Sequence, residues 1–162
     1  MIRISAGKRE LWQGFSVKIP QPMHFAENCI YQLQGPNGSG KSSFIHRILI
    51  PAIQSRQDLY IICLQQQVHL QLIALKAQAV IFKPGFSIHS ESDLWRYLWE
   101  DLSRMPDNLP VCVIADEAHS IVIPPDLSRP LCVIYSSHRY QLDGSIKVHF
   151  EPMDASESEI RV

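Results

Sequence analysis

A glycine-rich segment at residues 35–42, GPNGSGKS, constrains the fold of this chain more than any other part of its sequence. The apolar run 29–34 directly before it predicts a β-strand, and apolar residues four apart predict a helix over 41–50 that Pro51 closes. A buried strand that enters a helix through so tight a turn is typical of a parallel α/β sheet. The segment therefore predicts an α/β fold before the rest of the chain is considered.

The spacing within this segment fits G-x-x-x-x-G-K-[ST], and each residue type suits the binding of a phosphate tail. Gly38 and Gly40 allow a turn in which successive N–H groups point inward, and the helix adds its positive dipole end. Lys41 would reach the β- and γ-phosphates, and the Ser42 hydroxyl would bind Mg²⁺. The predicted nucleotide-binding residues are Gly35, Pro36, Asn37, Gly38, Ser39, Gly40, Lys41, Ser42 and Ser43.

A second motif places two carboxylates directly after an apolar run. The run 111–115 predicts a buried strand, and Asp116 and Glu117 follow it. Asp116 is suited to hold Mg²⁺ beside Ser42, and Glu117 to orient or deprotonate an attacking water. A strand that simply ends in a polar turn is the weaker alternative, given the glycine-rich segment upstream.

The remaining patterns predict one α/β domain at residues 1–150, with a largely parallel sheet after an antiparallel N-terminal portion. The segment 151–162 is acidic and without periodicity, which predicts a flexible tail. A capping pattern at Ser90 and Asp93 predicts the start of a helix that 106–108 ends. Other predicted strands are 2–5, 11–19, 59–64, 79–82, 131–135 and 145–150; a helix is predicted at 70–77, and turns at Gly7-Lys8, 83–85 and Asp143-Gly144.

Composition narrows the class of protein. Of the 162 residues 46% are hydrophobic, which excludes disorder for most of the chain, and the net charge of −1 does not support direct nucleic-acid binding. No apolar run is long enough for a transmembrane helix, and the N-terminus lacks the apolar segment of a secretory signal, so we expect a cytoplasmic protein. The cysteines are spaced as buried free thiols and not as a zinc site: Cys29, Cys63, Cys112 and Cys132.

The words GPNGSGKSS and VIADE resemble the Walker A and Walker B motifs of ATP-binding-cassette (ABC) ATPases. The run LCVIYSSHR at 131–139 is similar to the strand and switch histidine of that family, so the resemblance implies that His138 contacts the γ-phosphate. It also implies a glutamine that senses Mg²⁺ and the attacking water, with Gln65 preferred over Gln66 and Gln67. The implied fold is the three-layer P-loop NTPase fold, the cofactors are ATP and Mg²⁺, and the catalytic residues are Glu117, His138 and Gln65.

The chain departs from the ABC pattern in three places. The family's signature motif needs two glycines after a serine, but no glycine lies between Gly85 and Gly144, and the nearest substitute is 90–92, SES. No aromatic residue lies where the family stacks adenine, before Leu11. The helical portion is also shortened, which implies a reduced helical subdomain.

The resemblance implies an ATPase that couples MgATP binding and hydrolysis to a partner protein, either a membrane permease or a DNA-acting complex, and that is weak without that partner. Any membrane association would be peripheral and pass through the partner. A nucleotide-dependent interaction module with little turnover and a small-molecule kinase of P-loop type remain alternatives. Residues 116–119 also spell the DEAH box of helicases, but the chain has no room for the second domain that helicases require.

Overall fold

The computed structural model describes residues 1–54, 56–64, 71–74 and 88–162. A helical turn is present at 71–74, inside the helix predicted for 70–77. The strand predicted at 79–82, the turn at 83–85 and the candidate glutamine Gln65, with Gln66 and Gln67, lie outside the described residues.

Within these residues, eight strands form one sheet and two short strands form a separate antiparallel pair. The strands are β1 Ile2–Ile4, β2 Gly7–Trp12, β3 Phe15–Ile19, β4 Met23–Phe25, β5 Cys29–Gln34, β6 Tyr60–Leu64, β7 Val111–Ala115, β8 Leu131–Ser136, β9 Ile146–Pro152 and β10 Glu157–Arg161. The order in the large sheet is β2-β3-β10-β9-β5-β8-β7-β6, and within the described part of this sheet only β2/β3 and β9/β10 are antiparallel neighbours. The predicted α/β class with a mostly parallel sheet is confirmed.

The N-terminal portion is antiparallel, as predicted, but its turn was misplaced. Gly7 and Lys8 lie within β2, which pairs with β3 in a hairpin, while β1 pairs with β4. The chain reverses instead at Gly14, whose φ of 82° is a left-handed conformation that glycine adopts without strain. The apolar residues around position 14 belong to two strands and not to the single strand predicted for 11–19.

Apart from the turn at 71–74, the described residues include three α-helices that pack on the sheet: α1 Lys41–Phe44, α2 Ile50–Gln54 and α3 Glu91–Leu102. A π-helical turn, Ile45–Leu49, joins α1 to α2, so the prediction that Pro51 closes this helix is wrong. Proline lacks the N–H of an α-helical bond, and the helix continues past it because the preceding turn already has wider π-helical bonding. The capping box at Ser90 and Asp93 is confirmed, although α3 ends before the predicted stop at 106–108.

The acidic tail predicted for 151–162 is the clearest error. Its residues complete β9 and form β10, which lies between β3 and β9 in the sheet. Ile160 is only 2% exposed, and the carboxylate of Glu159 lies 2.9 Å from Lys18 Nζ. The acidic residues suggested a solvated tail because their basic partner, Lys18, lies far away in the sequence.

The core covers both faces of the sheet. Cys112 and Ile114 pack in one cluster with α1 and α2, whereas Val111 and Val113 pack in a second cluster with α3. Every residue of β7 is buried, as its unbroken apolar run predicts. The four cysteines are free, as predicted, but only Cys112 and Cys132 are buried, whereas Cys29 and Cys63 are half-buried. None of the described helices has the length and apolar character needed to cross a bilayer.

Candidate functional site

The predicted site residues that the structure describes converge on one edge of the sheet. Residues 35–40 follow β5, Asp116 and Glu117 follow β7, and His138 follows β8. Because β5, β8 and β7 are parallel neighbours, their carboxyl ends open at the same edge. A loop, a carboxylate pair and a histidine from distant parts of the chain therefore surround one space.

The glycine-rich loop 35–40 depends on conformations that other residues rarely adopt. Gly38 and Gly40 have φ values of 79° and 93°. A Cβ on Gly40 would lie 2.9 Å from Leu11 Cδ1, and a Cβ on Gly35 would lie 2.7 Å from the carbonyl oxygen of Phe150. The loop is thus held against the rest of the fold so closely that Gly35 and Gly40 have no room for a side chain.

Lys41 begins α1 and turns its ammonium group back onto the loop. Its Nζ donates hydrogen bonds to the carbonyl oxygens of Gly35, at 2.8 Å, and Pro36, at 2.9 Å. Only 6% of the residue is exposed, and this burial lowers the pKa of Lys41, while the charges of Glu117 and Asp116 oppose that shift. An anion in the loop would stabilise the charged form of this partly desolvated amine.

Asp116 is buried, and three side chains from different elements surround its carboxylate. Oδ1 accepts hydrogen bonds from the Ser42 hydroxyl at 3.1 Å and the Ser136 hydroxyl at 2.8 Å. Nε2 of His46 lies 3.5 Å from Oδ2. Sequence reasoning paired Asp116 with Ser42 but missed Ser136 and His46, because nothing in the local pattern shows which strand end or helix face reaches Asp116.

Glu117 has a strained backbone. Its φ of 55° is left-handed, and it is one of two such non-glycine residues in the described chain. Its N–H donates to the Ser136 hydroxyl at 2.8 Å, and its Oε1 lies 3.3 Å from Nε2 of His138. His119 Nδ1 contacts the Glu117 carbonyl oxygen at 3.0 Å. Local strain of this kind is common at functional sites, and here it occurs at the residue whose carboxylate contacts His138.

A cavity of about 380 Å³ lies in front of the loop. Among the described residues that line it, Trp12 alone had not been assigned to the site from sequence; the residue is 41% exposed, and its indole stacks on Phe15 with ring centroids 4.2 Å apart. The β2/β3 hairpin brings it there; Trp12 follows Leu11, whereas the resemblance implied an aromatic before Leu11. The other lining residues are Asn37, Gly38, Gly40, Lys41, Ser42, Ser43, Glu117 and His138.

The remaining candidate residues lie around this cavity or away from it. Gly35 lines a neighbouring polar cavity, and Ser39 is buried with a hydroxyl that has no protein hydrogen-bond partner among the described residues. The Ser90 hydroxyl is engaged in the capping box of α3, and none of 90–92 lines the cavity of the glycine-rich loop. The substitute for the signature motif is therefore not part of this site in the single chain.

The donor set suits a hard divalent cation shared with a phosphate ligand. In the described part of the chain, no three His, Cys, Asp or Glu side chains cluster as a metal site on their own. The Ser42 hydroxyl and the Asp116 carboxylate, 3.1 Å apart beside the loop, are oxygen donors of the kind that Mg²⁺ uses together with phosphate oxygens. These residues fit Mg²⁺ bound along with a nucleotide.

Comparisons with known proteins show the fold alone. No family model matches the chain, and no curated protein does. A chain in the solved structure "Model of ribosome-bound archaeal Pelota and ABCE1" shares the fold with a TM-score of 0.56 and 13% identity. The likeness covers 99% of the present chain, which spans about a third (34%) of the length of that chain.

Proposed function

We propose that this protein binds MgATP at the glycine-rich loop and hydrolyses it, as an ABC-type ATPase whose turnover is low until a partner protein binds. The observation that carries the proposal is the convergence of Lys41, Ser42, Glu117 and His138 on one cavity, with the buried Asp116 hydrogen-bonded to Ser42. These residues come from three strand ends that are far apart in sequence. A lysine, a hydroxyl, two carboxylates and an imidazole in this arrangement serve phosphoryl transfer and have no evident packing role.

The phosphate tail would lie along the loop, where backbone N–H groups and the start of α1 favour negative charge. Lys41 already faces the loop, and moving its ammonium from two carbonyl oxygens to phosphate oxygens exchanges neutral acceptors for charged ones. Ser42 and Asp116 would hold Mg²⁺, which when bound neutralises charge on the phosphates. Trp12 offers an exposed aromatic face on the cavity for the nucleotide base.

Glu117 is the general base of the proposal. A base must reach the proton it removes through a hydrogen bond, and the carboxylate of Glu117 lines the cavity that contains the loop. His138 lies beside it, with 3.3 Å between Nε2 and Oε1, and can donate a hydrogen bond that orients the carboxylate. The left-handed backbone at Glu117 keeps the side chain directed into the cavity instead of along the strand.

A second candidate is a nucleotide-dependent interaction module with little turnover. The region that includes α3 favours it, because residues 86–143 contain no glycine and the Ser90 hydroxyl is already used as a helix cap. A subunit of this kind lacks the signature glycines that, in the ABC family, contact the nucleotide of a neighbouring subunit. Both candidates are cytoplasmic in our proposal and both act through a partner protein, so catalytic rate separates them.

Two substitutions test the proposal directly. Lys41→Ala should abolish ATP binding measured by calorimetry, whereas Lys8→Ala, on the exposed strand β2, should leave it intact. Glu117→Gln should retain ATP affinity and lower phosphate release by about 10²–10⁴-fold, the usual contribution of a positioned acid–base group. Glu100→Gln, on the exposed side of α3, is the control.

Unchanged ATP affinity in Lys41→Ala would remove the phosphate site from the proposal. ATP binding with equally slow phosphate release in the wild type and Glu117→Gln would favour the interaction module instead.

A further inference from the structure

Ser42 and His46 contact the same carboxylate from one helical segment. They are four residues apart, so their side chains lie on the same face of the helix, one turn from each other. Ser42 Oγ is 3.1 Å from Oδ1 of Asp116, and His46 Nε2 is 3.5 Å from Oδ2. Two residues of one helical segment therefore contact the two carboxylate oxygens of the buried Asp116.

The helix that carries His46 is firmly anchored. Phe44, Ile45, Leu49 and Ile53 of this helical segment are all fully buried. The His46 side chain, by contrast, is 41% exposed and contributes little to the core. The imidazole is thus held at a defined place by its neighbours in the chain, while its own contact is with Asp116.

His46 contacts Oδ2 of Asp116, so it does not compete with Ser42 for Oδ1. Oδ1 already faces the Ser42 and Ser136 hydroxyls, on the side of the glycine-rich loop. His46 lies one turn farther along the helix, away from the loop, beside the other oxygen. This distance of 3.5 Å is longer than a normal hydrogen bond, so a full hydrogen bond requires the exposed imidazole to move closer to Oδ2.

We propose that His46 is a positioning residue for the divalent cation, an inference that rests on the proposed function. Its Nε2–H donates to Oδ2 of Asp116 and holds the carboxylate so that Oδ1 faces Ser42 and the cation. The imidazole does not itself bind the cation. Partners that orient a ligand in this way typically contribute 10–100-fold to metal affinity, so removing the His46 donor should weaken Mg²⁺ binding within about that range.

The test compares three substitutions of His46 in the full chain. For each variant, ADP binding is measured by calorimetry at increasing Mg²⁺, and the quantity compared is the Mg²⁺ concentration at which the Mg²⁺-dependent gain in ADP affinity is half complete. His46→Leu removes the donor and should raise this concentration at least about 10-fold. His46→Gln places an amide N–H near the position of Nε2 and should restore most of the affinity. His46→Asn reaches only the position of Nδ1 and should resemble His46→Leu.

Two controls separate positioning from general damage. Arg47→Leu alters the next exposed residue of the same π-helical turn and should leave the Mg²⁺ dependence at the wild-type value. ADP affinity in EDTA should be the same in all the His46 variants, because the phosphate loop itself is not altered. A drop in metal-free affinity as large as the drop with Mg²⁺ would overturn the inference in favour of a structural role.

Further outcomes show whether His46 acts through the hydrogen bond to Asp116 or binds the cation directly. Equal Mg²⁺ dependence in the wild type and His46→Leu, or a loss in His46→Gln as large as in His46→Leu, would overturn the role of the hydrogen bond. With Mn²⁺ as the probe, nitrogen coupling in the pulsed electron paramagnetic resonance spectrum that disappears in His46→Leu would show direct ligation instead of positioning. Failure of the wild type to bind ADP with Mg²⁺ would refute the proposed function itself, a result distinct from all of these.

Discussion

The candidate site and strand β10 both have charged side chains, but the partners of those charges differ between the two regions. In β10, the Glu159 carboxylate lies 2.9 Å from Lys18 Nζ and 3.1 Å from Arg161 Nε. At the site, Lys41 Nζ is bonded to backbone carbonyl oxygens and not to either carboxylate. Charges in β10 are matched within the protein, whereas those of the site are arranged so that a ligand can complete them.

The backbone conformation also differs between the two regions: it is regular in β10 and strained at Glu117. Glu157–Arg161 is a regular strand with partners on both sides, parallel to β3 and antiparallel to β9. Glu117 has a φ of 55° directly after β7. The comparison teaches that β10 has regular pairing on both sides, whereas the strained backbone lies at a residue that lines the cavity.

The largest effect that tests this comparison is expected in β10. Ile160→Ala should lower the free energy of unfolding by about 2–5 kcal/mol, because Ile160 is fully packed in the core cluster beneath the sheet. Ile146→Ala on the neighbouring strand β9 is the matched control, since Ile146 is 39% exposed and should lose far less. Urea denaturation measures both. Equal small losses would mean that the C-terminal segment is the loose tail that its composition predicts.

A smaller effect of opposite sign is expected next to it. The Ser158 hydroxyl is buried and has no protein hydrogen-bond partner among the described residues. Ser158→Ala removes this desolvated group and should raise the free energy of unfolding by about 1 kcal/mol. The exposed Ser156, whose hydroxyl donates to Asp154 at 2.8 Å, is the control and should lose stability when changed to alanine. Destabilisation by Ser158→Ala would show that this hydroxyl is satisfied in solution.

The smallest effect tests the strain at the site. Glu117→Gly should raise the free energy of unfolding by about 0.5 kcal/mol, because relief of the left-handed conformation exceeds the added entropy of the unfolded chain. Glu117→Gln retains the strained backbone and should leave thermal stability unchanged, although both substitutions should stop phosphate release. Thermal unfolding of the two variants side by side measures the difference. If Glu117→Gly were the less stable variant, the strain argument would fail.

Elements whose chemistry is local could be predicted from sequence. The glycine-rich loop needs left-handed backbone at Gly38 and Gly40, and glycine meets that need at any place in a chain. The capping box at Ser90 and Asp93 likewise depends on residues three positions apart. The unbroken apolar runs of β7 and β8 predicted strands, and both strands are present.

Elements whose place depends on distant partners could not be predicted. Composition alone made 151–162 resemble a solvated tail, because the matching Lys18 belongs to β3, far away in sequence. Trp12 was not predicted to line the site, because the sequence pattern placed the turn at Gly7 and Lys8 instead of at Gly14. No local pattern indicated that His46 would face Asp116, seventy positions later, since that depends on which strand lies beside the helix.

The sequence by itself determined the loop, the apolar strands and the residue types at the candidate site, because backbone conformation and burial periodicity are properties of short segments. Tertiary structure alone decided the order of the strands, the inclusion of β10 in the sheet and the side chains that surround Asp116. Strand order selects among many pairings that have similar local preference, and only long-range packing and charge matching distinguish them. The parallel arrangement of β5, β8 and β7 then brings the loop, the carboxylates and His138 to one edge.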